Sequence, residues 1–181
     1  MTDLRPLAYH RAGHAVVALH LGVTCPGASL RADDDAFAGL GIPDWVRPND
    51  ELDERTRIWV DQHVQVTWAG LLAEVEFCDV PVAEANAAAG DDLARLDDLA
   101  AFVTGGSEEL DAYLEWLRCR TLNVLRHHWI APQVRTVADA LLTRSPLSGR
   151  QVRALARTGH PAYAQAHAEG HTLTVVPDPE E

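Results

Sequence analysis

The 181-residue chain lacks several features that would place it at once in a common class. No stretch approaches the ~20 consecutive apolar residues of a membrane-spanning helix. Its opening, Met1-Thr2-Asp3-Leu4-Arg5-Pro6, has neither the basic region nor the apolar run of a secretory signal. A soluble, cytoplasmic protein with no membrane partner is expected. Cysteine is scarce: Cys25, Cys78 and Cys119 stand far apart with no C-x-x-C pair, which argues against a disulfide framework or a thiolate zinc site and suits reduced thiols. Positive charge is short as well. With a formal net charge of -12 and no basic stripe with interleaved aromatics, the chain would repel a phosphate backbone, so nucleic acid is not an expected partner. No internal repeat is visible.

What the chain does have is enough apolar material, 47% of its residues, to build one globular domain with a core. Apolar spacing predicts a helix over residues 6–21, ended by Gly22. A long irregular segment follows, marked by Pro26, Gly27, Asp33 to Asp35, Gly39, Gly41, Pro43 and Pro48, with room for a short β-hairpin. The longest helix is predicted over residues 51–77, with Leu52, Ile58, Val60, Val64, Leu71, Leu72 and Val75 as its apolar positions. After an alanine-rich stretch containing Pro81 and Asn86, a third helix starts at Asp91. Asp92, Leu96, Leu99 and Val103 share one of its faces, whereas Asp91, Arg95 and Asp98 lie on the other, so Asp92 is the inward carboxylate. Its other reading, a helix N-cap, is a role that Asp91 can fill. Further helices are expected over residues 107–127, over 132–142 with Pro132 in the first turn, and over 148–157 behind a Ser148-x-x-Gln151 capping box. The fold class is therefore mainly α, with a helical domain over residues 1–158 and a solvated, flexible tail over 159–181.

The pattern richest in chemistry is His10-Arg11-Ala12-Gly13-His14. On a helix the two histidines sit one turn apart on one face, in register with Leu7, Val17 and Leu21, so both imidazoles point inward and can reach one metal ion. In an H-E-x-x-H zinc helix, the residue after the first histidine is a glutamate that polarises the metal-bound water and takes its proton. Arg11 stands there instead, and a guanidinium with a pKa above ~12 does neither. Taken alone, an H-x-x-x-H pair fits two hydrogen-bonded core histidines better than a metal site.

Ala8-Tyr9-His10-Arg11-Ala12-Gly13-His14-Ala15 resembles the zinc helix of FtsH-type metalloproteases, which reads A-Y-H-E-A-G-H-A. The segment from Trp68 through Ala69, Gly70, Leu71, Leu72, Ala73 and Glu74 to Phe77 is similar to that family's G-G-R-x-A-E-E block. Gly90-Asp91-Asp92-Leu93 is similar to its later G-A-x-N-D-L motif, and Leu147-Ser148-Gly149-Arg150-Gln151-Val152 to the end of its protease domain. The resemblance spans roughly residues 4–158 and implies a compact helical peptidase fold without the family's transmembrane segments and ATPase module. It also carries the family's third zinc-ligand role to Asp92, beside His10 and His14. Two imidazoles and a carboxylate with an open fourth position are a donor set that zinc accepts. The departures bear on activity: Arg11 takes the place of the general base, and Ala69 and Leu71 interrupt the G-G-R triplet, against both proteolysis and ring assembly.

If the Arg11 guanidinium lay ~6 Å from a divalent ion, repulsion at an effective dielectric of 20 would be roughly 5 kcal/mol. Apparent structural zinc affinities are roughly 10 to 16 kcal/mol, so arginine weakens such a site without necessarily emptying it. Arg11 can also turn to Asp91 or Glu74, or pair with Asp92 so that a polar cluster replaces the metal. Loss of a general base costs ~10²- to 10⁴-fold in rate. Two function classes follow. In one the protein is a degenerate pseudopeptidase, a binding or regulatory module whose former cleft holds zinc, a peptide or a small anion, with homo-oligomerisation open to it. In the other it is an active zinc metallopeptidase or hydrolase whose base has moved to Asp91 or Glu74. Weaker signals remain. His167 and His171 form a second H-x-x-x-H near His160 without an apolar face, and His127 and His128 suit a helix C-terminus. The five tryptophans either anchor the core or line a self-association surface.

Overall fold

A computed structural model of the chain describes residues 3–31, 41–47 and 52–160. They form the helices α1 (Arg5–Leu21), α2 (Glu54–Cys78), α3 (Val82–Ala88), α4 (Gly90–Ala100), α5 (Ser107–Arg126), α6 (Ile130–Thr143) and α7 (Gly149–Gly159), with two short strands, β1 (Gly27–Ala28) and β2 (Leu147–Ser148). The fold is mainly α, as the periodicity predicts. A strand does follow the first helix, and among the described residues its antiparallel partner is the distant β2, with Gly27 opposite Ser148 and Ala28 opposite Leu147. The ladder thus ties the exit of α1 to the entry of α7. Residues 32–40, where a local hairpin partner would fall, lie outside the described residues, as do the expected tail beyond His160 and its His167 and His171.

The helix ends follow from their residues. Gly22 adopts φ 74° after α1, and its N–H returns to the Ala18 and Leu19 carbonyls, a left-handed cap that glycine takes without steric cost. Asp53 opens α2 by accepting the Thr56 N–H at 2.6 Å. Both halves of the Ser148–Gln151 capping box are present at α7. The short α3 escapes the periodicity argument because its seven residues are mostly alanine, which marks no face.

Apolar register describes α1 incompletely. Every residue from Ala8 to Ala18 is buried, so the helix is enclosed on all sides rather than along one stripe. Its small side chains make this possible, because α2 packs closely against one side and α6 against another. A Cβ on Gly13 would run into the Ala69 carbonyl oxygen and lie 2.8 Å from Ala73 Cβ, so glycine sets the α1–α2 spacing.

The larger core joins α1, α2, α6 and α7 through residues such as Val17, Leu71, Val134, Leu141 and Val152. A second core, with Val60, Val64, Leu96, Leu99, Val103 and Leu117, packs α4 and α5 against the first half of α2. At 25 residues, or ~37 Å, α2 is long enough to serve both, and the half-buried Trp68 touches each. Among the described residues no helix is long and apolar enough to cross a membrane, and the three cysteines are free thiols.

Candidate metal centre

Antiparallel packing of α1 on α2 sets the histidines. His14 is almost wholly buried at 1% exposure, and its Nδ1 donates to the Val66 carbonyl at 2.7 Å. Two turns further along α2, Glu74 Oε1 accepts from His10 Nδ1 at 2.6 Å. Gly70 lies midway between Val66 and Glu74 on the same helical face. A Cβ there would collide with the His14 ring and stand 2.7 Å from His10 Nε2, so only glycine leaves the space in front of both imidazoles.

The first turn of α4 supplies the third group. Asp92 Oδ2 lies 3.0 Å from His10 Nε2 and 3.6 Å from His14 Nε2, and the two Nε2 atoms are 2.9 Å apart. His10, His14 and Asp92, singled out from sequence, are therefore brought together as a group able to hold a metal ion. The expected capping role of Asp91 is not what forms: α4 has Ala89 as its N-cap with no side-chain cap, and Asp91 and Asp92 both fall inside the first turn. There the positive end of the helix favours a carboxylate.

The tautomers follow from the Nδ1 partners. A carbonyl oxygen only accepts, so His14 Nδ1 carries a proton, and the Glu74 carboxylate places one on His10 Nδ1. In the neutral rings both Nε2 atoms are then bare lone pairs, facing each other and a carboxylate oxygen. Three acceptors converging in a buried space require a positive charge among them. Zinc bonds of about 2.0 to 2.2 Å in tetrahedral geometry set neighbouring donor atoms roughly 3.3 Å apart. The observed 2.9, 3.0 and 3.6 Å bracket that value, so the residues present fit the ion.

The same demand shapes the protonation equilibria. Burial alone would lower the His10 pKa, but the hydrogen-bonded carboxylates of Asp92 and Glu74 outweigh it and raise it from 6.5 to about 9. Burial would raise the Asp92 carboxyl, and the two imidazoles instead hold it well below the usual carboxylate range. A proton on His10 is thus the cation that serves when no metal does.

This group opens onto a cleft of about 590 Å³ lined by Asp3, His10, Arg11, Glu74, Asp91 and Asp92, among others. Arg11 is 8% exposed and is among the residues that line the cleft, so the residue in the general-base position is a buried arginine. Glu74, one of the two carboxylates considered as a relocated base, has an oxygen committed to His10 Nδ1, on the side of the ring away from the other donors. Asp91 is exposed and lines the cleft. Sequence reasoning missed the orienting role of Glu74 and the spatial role of Gly70. The signal was the four-residue spacing of Val66, Gly70 and Glu74, which lines one face of α2.

No protein-family model matches the chain, and comparison with curated proteins finds no match either, so the functional reading rests on this geometry.

Proposed function

We propose that the protein is a metal-binding domain of FtsH-peptidase-like descent that has lost the peptidase base. His10, His14 and Asp92 hold one zinc ion, and the adjoining cleft admits a peptide end or small anion. The observation that carries this reading is the convergence of two Nε2 lone pairs and Asp92 Oδ2, with each imidazole locked in the metal-ready tautomer from behind. Two imidazoles and a carboxylate suit zinc better than magnesium or calcium, which favour all-oxygen sets. When bound, zinc supplies two positive charges and an open position for an oxygen ligand.

The remaining work belongs to the chain. Glu74 fixes the His10 ring and raises its basicity, an outer-shell role typical of ligating histidines. The Val66 carbonyl does the same for His14. Arg11 adds a fixed positive charge to the cleft wall, which favours a carboxylate ligand and opposes activation of water. The support for lost peptidase activity is therefore positional, with a guanidinium where a base is needed and Glu74 tied to a ring nitrogen.

Metal content by mass spectrometry, on protein purified without chelator or polyhistidine tag, tests the site. Near one zinc per chain, lost in His14→Ala, supports it; no metal even after zinc is supplied, with the wild type folded, refutes it. One observation favours the hydrolase alternative: Asp91 is exposed in the same cleft and free of a helix-capping role. Cleavage of an unstructured casein by the zinc-loaded wild type, abolished in Asp91→Asn, would establish that reading instead.

A further inference from the structure

The cleft beside the metal centre has two unequal walls. One is α1, which is enclosed from Ala8 to Ala18. The other is the stretch from the end of α3 into the first turn of α4, which contributes Ala87, Ala88, Ala89, Gly90, Asp91 and Asp92. Of residues 81–90 only Ala85 and Ala89 are buried, and each gives the larger core a single methyl group. A Cβ on Gly90 would meet nothing within 4 Å, so the joint between the two helices has open space beside it.

Both ends of this stretch are firm. On one side α2 ends at Asp79, whose left-handed φ of 56° turns the chain out of the long helix. On the other, Leu93 packs against both cores, and Leu96, Leu99 and Ala100 are buried behind it. Neither α3 nor α4 packs closely against α1 by its backbone. What ties the stretch to α1 is Asp92, whose Oδ2 stands 3.0 Å from His10 Nε2 and 3.6 Å from His14 Nε2.

A shared ion would therefore act unevenly on its three ligands. His10 and His14 are fixed on an enclosed helix, so the side free to move is the one that carries Asp92. Metal-binding free energy stabilises whatever must be in place for the ligands to converge. Here that is α3 and the first turn of α4, a part of the fold with little apolar burial of its own.

We propose that residues 79–92 form a strap along the cleft and that the metal ion latches it through Asp92. With the ion bound, the strap is closed and the alanine wall is complete; without it, the strap opens locally while the rest of the domain stays folded. A cleft ligand meets its full wall only on the metal-loaded protein, so metal and ligand bind with positive coupling. This inference rests on the zinc reading above. A second cleft, of about 570 Å³, lies where the end of α1 meets α5, α6 and the exit of α7, and it has no such strap. It includes the buried Ile130 of the larger core and shares no residue with the first, so its surroundings serve as an internal control.

Amide hydrogen exchange read by mass spectrometry tests the proposal on the full chain, zinc-loaded and chelator-treated, with zinc content measured on the same samples. Removing zinc should speed exchange in residues 82–92 about tenfold or more while α6 is unchanged. Asp92→Ala should leave residues 82–92 in fast exchange whether or not zinc is supplied, and Glu84→Gln, on the exposed side of α3, should behave as the wild type. Equal exchange in residues 82–92 with about one zinc per chain bound overturns the strap and leaves the zinc site standing. Exchange that speeds equally throughout the chain also overturns it, because the metal then supports the whole fold. Wild-type protein that takes up no zinc refutes the zinc reading itself, and the latch with it.

Discussion

Two clefts of nearly equal volume, about 590 and 570 Å³, carry opposite chemistry on one small helical domain. The first collects Asp3, Glu74, Asp91 and Asp92 around His10 and Arg11; the second collects His20, Arg120, His127 and His160 with no carboxylate among the described residues. They also differ in construction. The imidazoles of the first are buried and held from behind by a backbone carbonyl and a carboxylate on α2, whereas the second is walled mostly by exposed side chains near helix ends. A buried, pre-oriented cluster of acceptors selects a compact cation and tolerates little change. An open rim of imidazole, guanidinium and indole groups tolerates much more.

The largest expected effect separates the clefts outright. His14→Ala removes a candidate ligand that is 1% exposed, and zinc affinity should fall at least ~10³-fold while the second cleft, which shares no residue with the first, is untouched. Zinc competition with a chromophoric chelator measures the first, and the ring resonances of His127 and Trp129 report on the second. Gly70→Ala would press a methyl group against both rings; a stability loss of about 1–3 kcal/mol in urea unfolding is expected, together with loss of zinc.

Glu74→Gln keeps the shape but weakens the acceptor at His10 Nδ1, and a ~10- to 100-fold drop in zinc affinity is expected by the same chelator competition. The opposite sign is expected for Arg11→Gln, which removes a cation from the wall and should tighten zinc by about tenfold. If Arg11→Gln weakens zinc instead, the arginine is a structural support of the site rather than its electrostatic opponent.

A smaller effect tests the proton that stands in for the metal. Because the folded His10 pKa is raised from 6.5 to about 9, its contribution to stability is fully present below pH 6.5 and is lost as pH rises through 9. Chelator-treated protein should therefore lose up to about 3 kcal/mol across that window in urea unfolding, and Asp92→Asn should flatten the profile. Zinc-loaded protein should show the window displaced, since metal and proton compete for Nε2.

Much of this was legible in the sequence, and what was not has identifiable physical causes. Helical spacing placed His10 beside His14, and face counting on α4 turned Asp92 inward; both depend only on periodicity within one helix. Gly70 and Glu74 acquire their roles from the antiparallel register of α1 on α2, which no single-helix pattern encodes. The enclosure of α1 was hidden by its alanines, which periodicity counts as neutral although eleven consecutive residues are buried. The second cleft was invisible for a similar reason. Its basic groups come from separate elements, and His127 read from sequence as helix-end chemistry alone, a position it does occupy as the C-cap of α5.

The enclosure of α1 has a consequence of its own. His10 and His20 belong to the same helix, and ten residues of helical rise put about 15 Å between them along its axis. The enclosed stretch runs from Ala8 to Ala18, so the helix is held from His10 to within one turn of the exposed His20. The domain is thus a built-in molecular ruler: a paramagnetic cobalt(II) ion held by His10, His14 and Asp92 would broaden the nuclear resonances of the His20 ring by an amount set by helix geometry.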